Sequence, residues 1–138
     1  MAATAAAQNR KRPVEWKPRL GILGPFTESN VRFAKEEGFT NMILGAGRNN
    51  MPDPEKVRPV LARYGMHVSA FQASQNHIAP DLAQRKQEND DFVRIIELAG
   101  KLGIPFIGTT SGKNPAKPFN SQIDDIVRVY NERYVAAG

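Results

Sequence analysis

At 138 residues the chain is the size of one domain and long enough to bury a real core. A hydrophobic content of 41% is ordinary for a globular protein, and no apolar run approaches the roughly 18 residues that span a bilayer. The absence of cysteine excludes disulfides and thiolate chemistry. The net charge of +5 is no nucleic-acid signature: residues 1–19 hold Arg10, Lys11, Arg12, Lys17 and Arg19 against Glu15, so the remainder is nearly neutral. MAATAAAQNRKRPVEWKP lacks an apolar core segment and is not a secretory signal. Residues 1–18 are read as a disordered basic tail, and a cytoplasmic address is expected.

RLGIL (19–23) is the first predicted strand. Thr27 then caps a helix that turns Val31 and Ala34 inward. KEEGFTNMIL (35–44), ARYGMHVSAF (62–71) and GKLGIPFIGT (100–109) share one formula, a charged helix end passing through glycine into an apolar strand. Gly38, Gly65 and Gly103 therefore mark three helix-to-strand turns, because glycine takes a positive φ without steric cost. Asp53-Pro54 is an N-cap and N1 proline, opening a helix that carries Val57, Val60, Leu61 and Tyr64 on one face. Pro59 inside it is expected to kink or shorten it. The third helix ends near Leu102 and buries Phe92, Ile95, Ile96 and Ala99. The fourth is expected to start at Ser121, with Asp124 completing a capping box, and to bury Ile123, Ile126, Val127, Tyr130 and Tyr134.

The order is β-α-β-α-β-α-β-α, an α/β fold with a parallel sheet. A doubly wound open sheet and part of a (β/α)8 barrel both fit it. Such barrels take about 250 residues, and RYVAAG ends where a fifth strand is due. The chain is therefore read as a parallel (βα)4 unit, the N-terminal half of a TIM (β/α)8 barrel from a truncated gene. Open edges on such a unit predict self-association.

Ligands of parallel α/β folds bind beyond the carboxyl ends of the strands, which nominates the loops 24–27, 45–53, 72–81 and 110–120. GAGRNN (45–50) lacks the third glycine of a dinucleotide fingerprint; its glycines are read as turn residues, and Arg48 is a candidate grip for an anion. GTTSGK (108–113) is one residue short of a phosphate loop, yet Lys113 with glycine-freed amides can hold a phosphate or carboxylate. His77 in AFQASQNHIAPD (70–81) has no carboxylate or second histidine at metal-ligand spacing, and His67 lies at the opposite end of its strand. The pairs Glu36-Glu37, Asp90-Asp91 and Asp124-Asp125 fall on helices and are read as solvated faces. No complete catalytic constellation is present in the sequence.

EEGFTNMIL, GMHVSAFQASQNHIAPD and LGIPFIGTTSGKNP, in this order, resemble the sugar phosphate isomerase/epimerase family of xylose-isomerase-like TIM barrels, over about residues 19–138. The resemblance implies a metal-dependent enzyme that moves a proton between adjacent carbons of a sugar or sugar phosphate. It implies a divalent metal (Mn, Mg, Co or Zn) in the full-length family, held mainly on strands five to eight, with none expected to be bound by this fragment. The fragment is then expected to be inactive alone, with Asn76, His77, Thr109, Lys113 and Arg48 as substrate-binding residues and catalytic residues unknown. Neither membrane nor nucleic-acid partners are expected. Two alternatives stand beside it: a non-catalytic sugar- or phosphate-binding module acting as an oligomer, and an AP-endonuclease-like DNA-repair relative. The second is weakened by AFQ and IGT, which lack the histidines of that branch. On this reading His77 is pocket lining in the parent enzyme and an orphaned loop residue here, so His77→Ala is expected to leave stability nearly unchanged.

Overall fold

The computed structural model describes residues 20–137; the basic tail expected over 1–18 lies outside them. Four strands alternate with four helices: β1 (Gly21–Gly24), α1 (Glu28–Glu36), β2 (Asn41–Gly45), α2 (Pro54–Tyr64), β3 (His67–Gln72), α3 (Leu82–Leu102), β4 (Ile107–Gly108) and α4 (Phe119–Val129). A π-helical turn, Tyr130–Tyr134, continues α4. All neighbouring strands pair in parallel, in the order β1-β2-β3-β4.

That monotonic order decides between the two architectures. Right-handed crossovers that always step the same way place every helix on one face of the sheet, whereas a doubly wound sheet reverses and covers both. The strand residues divide accordingly. Ile22, Met42, Leu44, Val68, Phe71 and Ile107 pack with Val31, Ala34, Phe92 and Ile95 of the helices in one apolar core. Leu23, Ile43 and Ala70, aligned across β1, β2 and β3, lie outside that core on the bare face. This is the curvature-ready layout of a barrel wall, and the chain is a parallel (βα)4 unit, half of a TIM barrel. Each of the fully buried Phe71, Met42, Leu44 and Ile95 side chains contributes about 1.5–3 kcal/mol of burial.

The glycine formula has one structural cause. Gly38, Gly65 and Gly103 all have positive φ. In each turn the glycine N–H bonds back to the helix, and the next residue reaches further, as Met66 N–H does to Leu61 O at 3.0 Å. Phe39 to Ala34 and Ile104 to Ala99 repeat that bond at 2.9 Å. This is the Schellman closure, used three times to turn a helix into the next strand. Thr27 and Asp53 cap α1 and α2 as expected, accepting from Asn30 N–H and Glu55 N–H at 3.1 Å. α2 runs unbroken through Pro59, so the expected shortening is not seen.

Two expectations about α4 are corrected. It begins at Phe119, after Pro118, and no side chain caps it. Gln122 is drawn back into the preceding loop, accepting from Asn114 N–H and donating to Lys117 O, so the loop itself closes the first turn and no capping box forms. Ile123 and Val127 are exposed, not buried. α4 lies at the open side of β4, and the core is joined by its last residue, Val129, and by Tyr130 and Tyr134 beyond it.

Candidate functional site

Two polar clusters occupy the carboxyl end of the sheet. The first surrounds an open cavity of about 390 Å³ beyond β2 and β3. The turn 45–50 forms one wall, held by Asn50, whose N–H donates to Gly47 O and whose side-chain amide donates to Gly45 O. Gln72 and Gln75 from the end of β3, with Glu88 and Asp91 from α3, form the other. Asp91 is buried, and both its oxygens are bound. Arg48 Nε donates to Oδ2 at 2.8 Å and Arg94 Nη1 to Oδ1 at 3.2 Å. Arg48 remains 48% exposed and so keeps donors toward the cavity. Reading Asp90-Asp91 as a solvated face is therefore corrected: one turn of helix aims Asp91 inward, where an arginine 43 residues away meets it.

Asp125 corrects the same reading for the other helix pair. It is buried between Lys117 and Arg128, and the Lys117 ammonium, chiefly, holds its carboxyl below the usual range. Asp90 is likewise lowered by hydrogen bonds from Lys86 and then Arg133.

The second cluster is dry. His77 is fully buried, which overturns the orphaned-loop reading. Its ring meets Phe92, Tyr130 and Tyr134 edge-on, with centroids 4.9, 5.7 and 5.2 Å away. Both nitrogens are occupied: Nδ1 lies 2.6 Å from Tyr134 Oη and 3.1 Å from Asn89 Oδ1, and Nε2 lies 3.1 Å from Thr109 Oγ1. The acceptor-only Asn89 Oδ1 assigns the tautomer. Tyr134 has one proton and spends it on Asn89 Oδ1 at 2.7 Å, while the Asn89 amide donates to His77 O. Asn89 Oδ1, 3.1 Å from Nδ1, can only accept, so the Nδ1–H tautomer suits both contacts of that nitrogen and leaves Nε2 facing the Thr109 hydroxyl, which also lies 3.2 Å from Thr110 O. Burial pushes the imidazole below its ordinary 6.5, opposed in part by the Asn89 hydrogen bond and the charge of Glu88. Burial also pushes the Tyr134 phenol far above its usual range. Both groups are thereby kept neutral, as a core network requires.

Asn76 and Lys113 meet next to this network. The Asn76 side chain accepts from Lys113 N–H at 3.0 Å and donates to Lys113 O at 2.9 Å, pairing like a strand residue. Gly112 has φ of +78°, and a Cβ there would fall 2.0 Å from Asn76 Oδ1, so only glycine fits. Thr110 adds a hydrogen bond to Gln75 O at 2.9 Å. The structure thus joins Asn76 to Lys113 and His77 to Thr109, fastening the loops after β3 and β4. Arg48 sits apart, in the cavity wall. Sequence reasoning missed Asn89, Asp91 and Tyr134; Arg94, three residues after Asp91 on the same helix, was the available signal for the second of these.

No protein-family profile and no curated protein matches the chain. Solved structures do. Protein SMc04130 from Sinorhizobium meliloti 1021 superposes with a TM-score of 0.69 at 18% identity, over 87% of this chain and 48% of that one. D-psicose 3-epimerase, solved in the presence of D-fructose, gives 0.63 at 17%, over 80% and 45%. A xylose isomerase domain protein from Planctomyces limnophilus gives 0.63 at 16%, over 86% and 49%. At these identities the likeness is one of fold, the TIM-barrel fold that the sequence resemblance implied. The chain spans about half the length of the structures it matches.

Proposed function

We propose that this half-barrel is the substrate-holding half of a sugar or sugar-phosphate isomerase/epimerase-like protein, and that alone it binds its ligand without turning it over. The observation that carries the reading is the cavity beyond β2 and β3, where Gln72, Gln75, Glu88 and the half-exposed Arg48 converge. Amides and carboxylates are what a polyol's vicinal hydroxyls need, and a guanidinium with free donors suits a phosphate. The likeness to D-psicose 3-epimerase and to a xylose isomerase domain protein supports the substrate class. Arg48 and the exposed Lys113 are assigned to the ligand side, whereas Thr109, expected there as well, is bound to His77. Asn76 and His77 hold the loops that carry them, since the amide of Asn76 is spent on Lys113 and His77 is sealed from water.

A divalent cation is what the fold family implies, and the described residues do not fit one. Both oxygens of Asp91 are taken by arginines, and no three His, Cys, Asp or Glu side chains converge among the described residues. No step is therefore derived through a metal. Titration of the ¹⁵N-labelled chain with D-fructose and with a ketohexose phosphate tests the reading. Millimolar ligand should shift amides of 45–50 and 72–75 selectively, the phosphate ester more strongly. Absence of any shift would remove the binding role, and metal-dependent turnover of ketoses by the 138 residues alone would remove the inactivity.

A further inference from the structure

The bare face and the two edges of the sheet lie on the same chain, and they are complementary. Among the described residues no strand pairs with the outer edge of β1 or of β4. Large apolar side chains gather at these two margins. Leu23 on β1 and Phe33 on α1 flank a groove of about 200 Å³ beside the first edge. Phe106 lies beside the second, and Phe119, Ile123 and Val127 form an i, i+4, i+8 stripe along α4. Between 44% and 74% of each residue is in water.

We infer that the occupant of both margins is a second copy of this chain, in a twofold dimer that closes an eight-stranded parallel barrel. A twofold axis along the barrel keeps all strands parallel, sets β4 of each copy against β1 of its partner, and leaves no edge open. Four strands from each copy complete the eight, in agreement with the half-length coverage of the solved structures. The same closure covers Leu23, Ile43 and Ala70 on the inner face. The area suffices: six margin residues with on the order of 100 Å² each in water give roughly 1,200 Å² for the pair, the lower bound of a standard interface before edges and inner face are counted. The cavity beyond β2 and β3 then occurs twice, on opposite sides of one barrel mouth.

Light scattering on the eluting full chain should give twice 15.3 kDa, constant over a wide range of micromolar concentrations. Because the chain has no cysteine, single thiols report the pairing. A short bis-maleimide should join an equilibrated mixture of L23C and F106C, both exposed positions beside the two edges, and should join neither variant to itself. Phe119→Asp together with Ile123→Asp should halve the mass with the far-UV circular dichroism unchanged. A folded wild-type monomer, assemblies that grow with concentration, or cross-linking of L23C to itself would each overturn the dimer. Should the double variant fail to fold, the wild-type mass and the thiol pairing decide alone.

Discussion

The two polar clusters at the carboxyl end of the sheet differ in one respect that governs everything else, their access to water. Around His77 every group is neutral and every polar atom has a partner. Around Asp91 the groups are charged, and Arg48 still faces solvent. A neutral network survives burial because hydrogen bonds replace those lost to water, whereas charges survive only where solvent or paired counter-charges remain. The dry cluster accordingly acts as a fastening, drawing together α3, the loops after β3 and β4, and the turn after α4. The wet cluster is where a ligand can compete for donors.

Breaking the dry cluster has the largest expected effect. His77→Ala removes a ring packed on three aromatics and strands Asn89 and Tyr134, at an expected cost of about 3–5 kcal/mol. Urea denaturation at pH 7.5 measures it, and a loss below about 1 kcal/mol would return His77 to the solvated loop that its sequence context suggests. An intermediate effect comes from pH. The folded imidazole binds a proton less readily than the unfolded one, so below 6.5 the unfolded chain takes up more protons. Stability should be complete above 6.5 and fall as pH drops toward the folded pKa, by at most about 1.4 kcal/mol per pH unit from this one group. The Nδ1–H tautomer of His77 should persist across that window in imidazole ¹⁵N spectra, and protonation at 6.5 would break the contrast. The smallest effect belongs to the wet cluster. Arg48→Ala leaves Asp91 with Arg94, and the exposed half of the pair is solvent-screened, so a loss of only about 0.5–1 kcal/mol is expected by the same denaturation.

How far the sequence was legible follows the range of each interaction. Caps, glycine turns and helix faces are local, and Thr27, Asp53, Gly38, Gly65 and Gly103 all announce themselves within five residues of what they bond. The burial of His77 rests on Asn89, Thr109 and Tyr134, which are 12, 32 and 57 residues distant. Nothing in AFQASQNHIAPD contains them. Asp91 misled for a similar reason, since adjacent carboxylates on a helix look alike until one of them turns inward. Periodicity placed Ile123 and Val127 on a common stripe correctly; it carries no information about whether anything covers the stripe.

The π-helical turn sets the rotation at which the segment after α4 meets the core. Val135 N–H reaches Tyr130 O at 3.1 Å, spanning five residues instead of four. One residue more per turn than the α-helix uses is therefore stored just where Tyr134 enters the core. Removing a single residue there would restore the ordinary pitch and swing whatever follows by roughly 100°, pulling the phenol off the imidazole while α4 itself stayed intact. The segment thus behaves as a phase adjuster: the outward stripe of α4 and the inward lock of Tyr134 are set at separate rotations along one continuous helix.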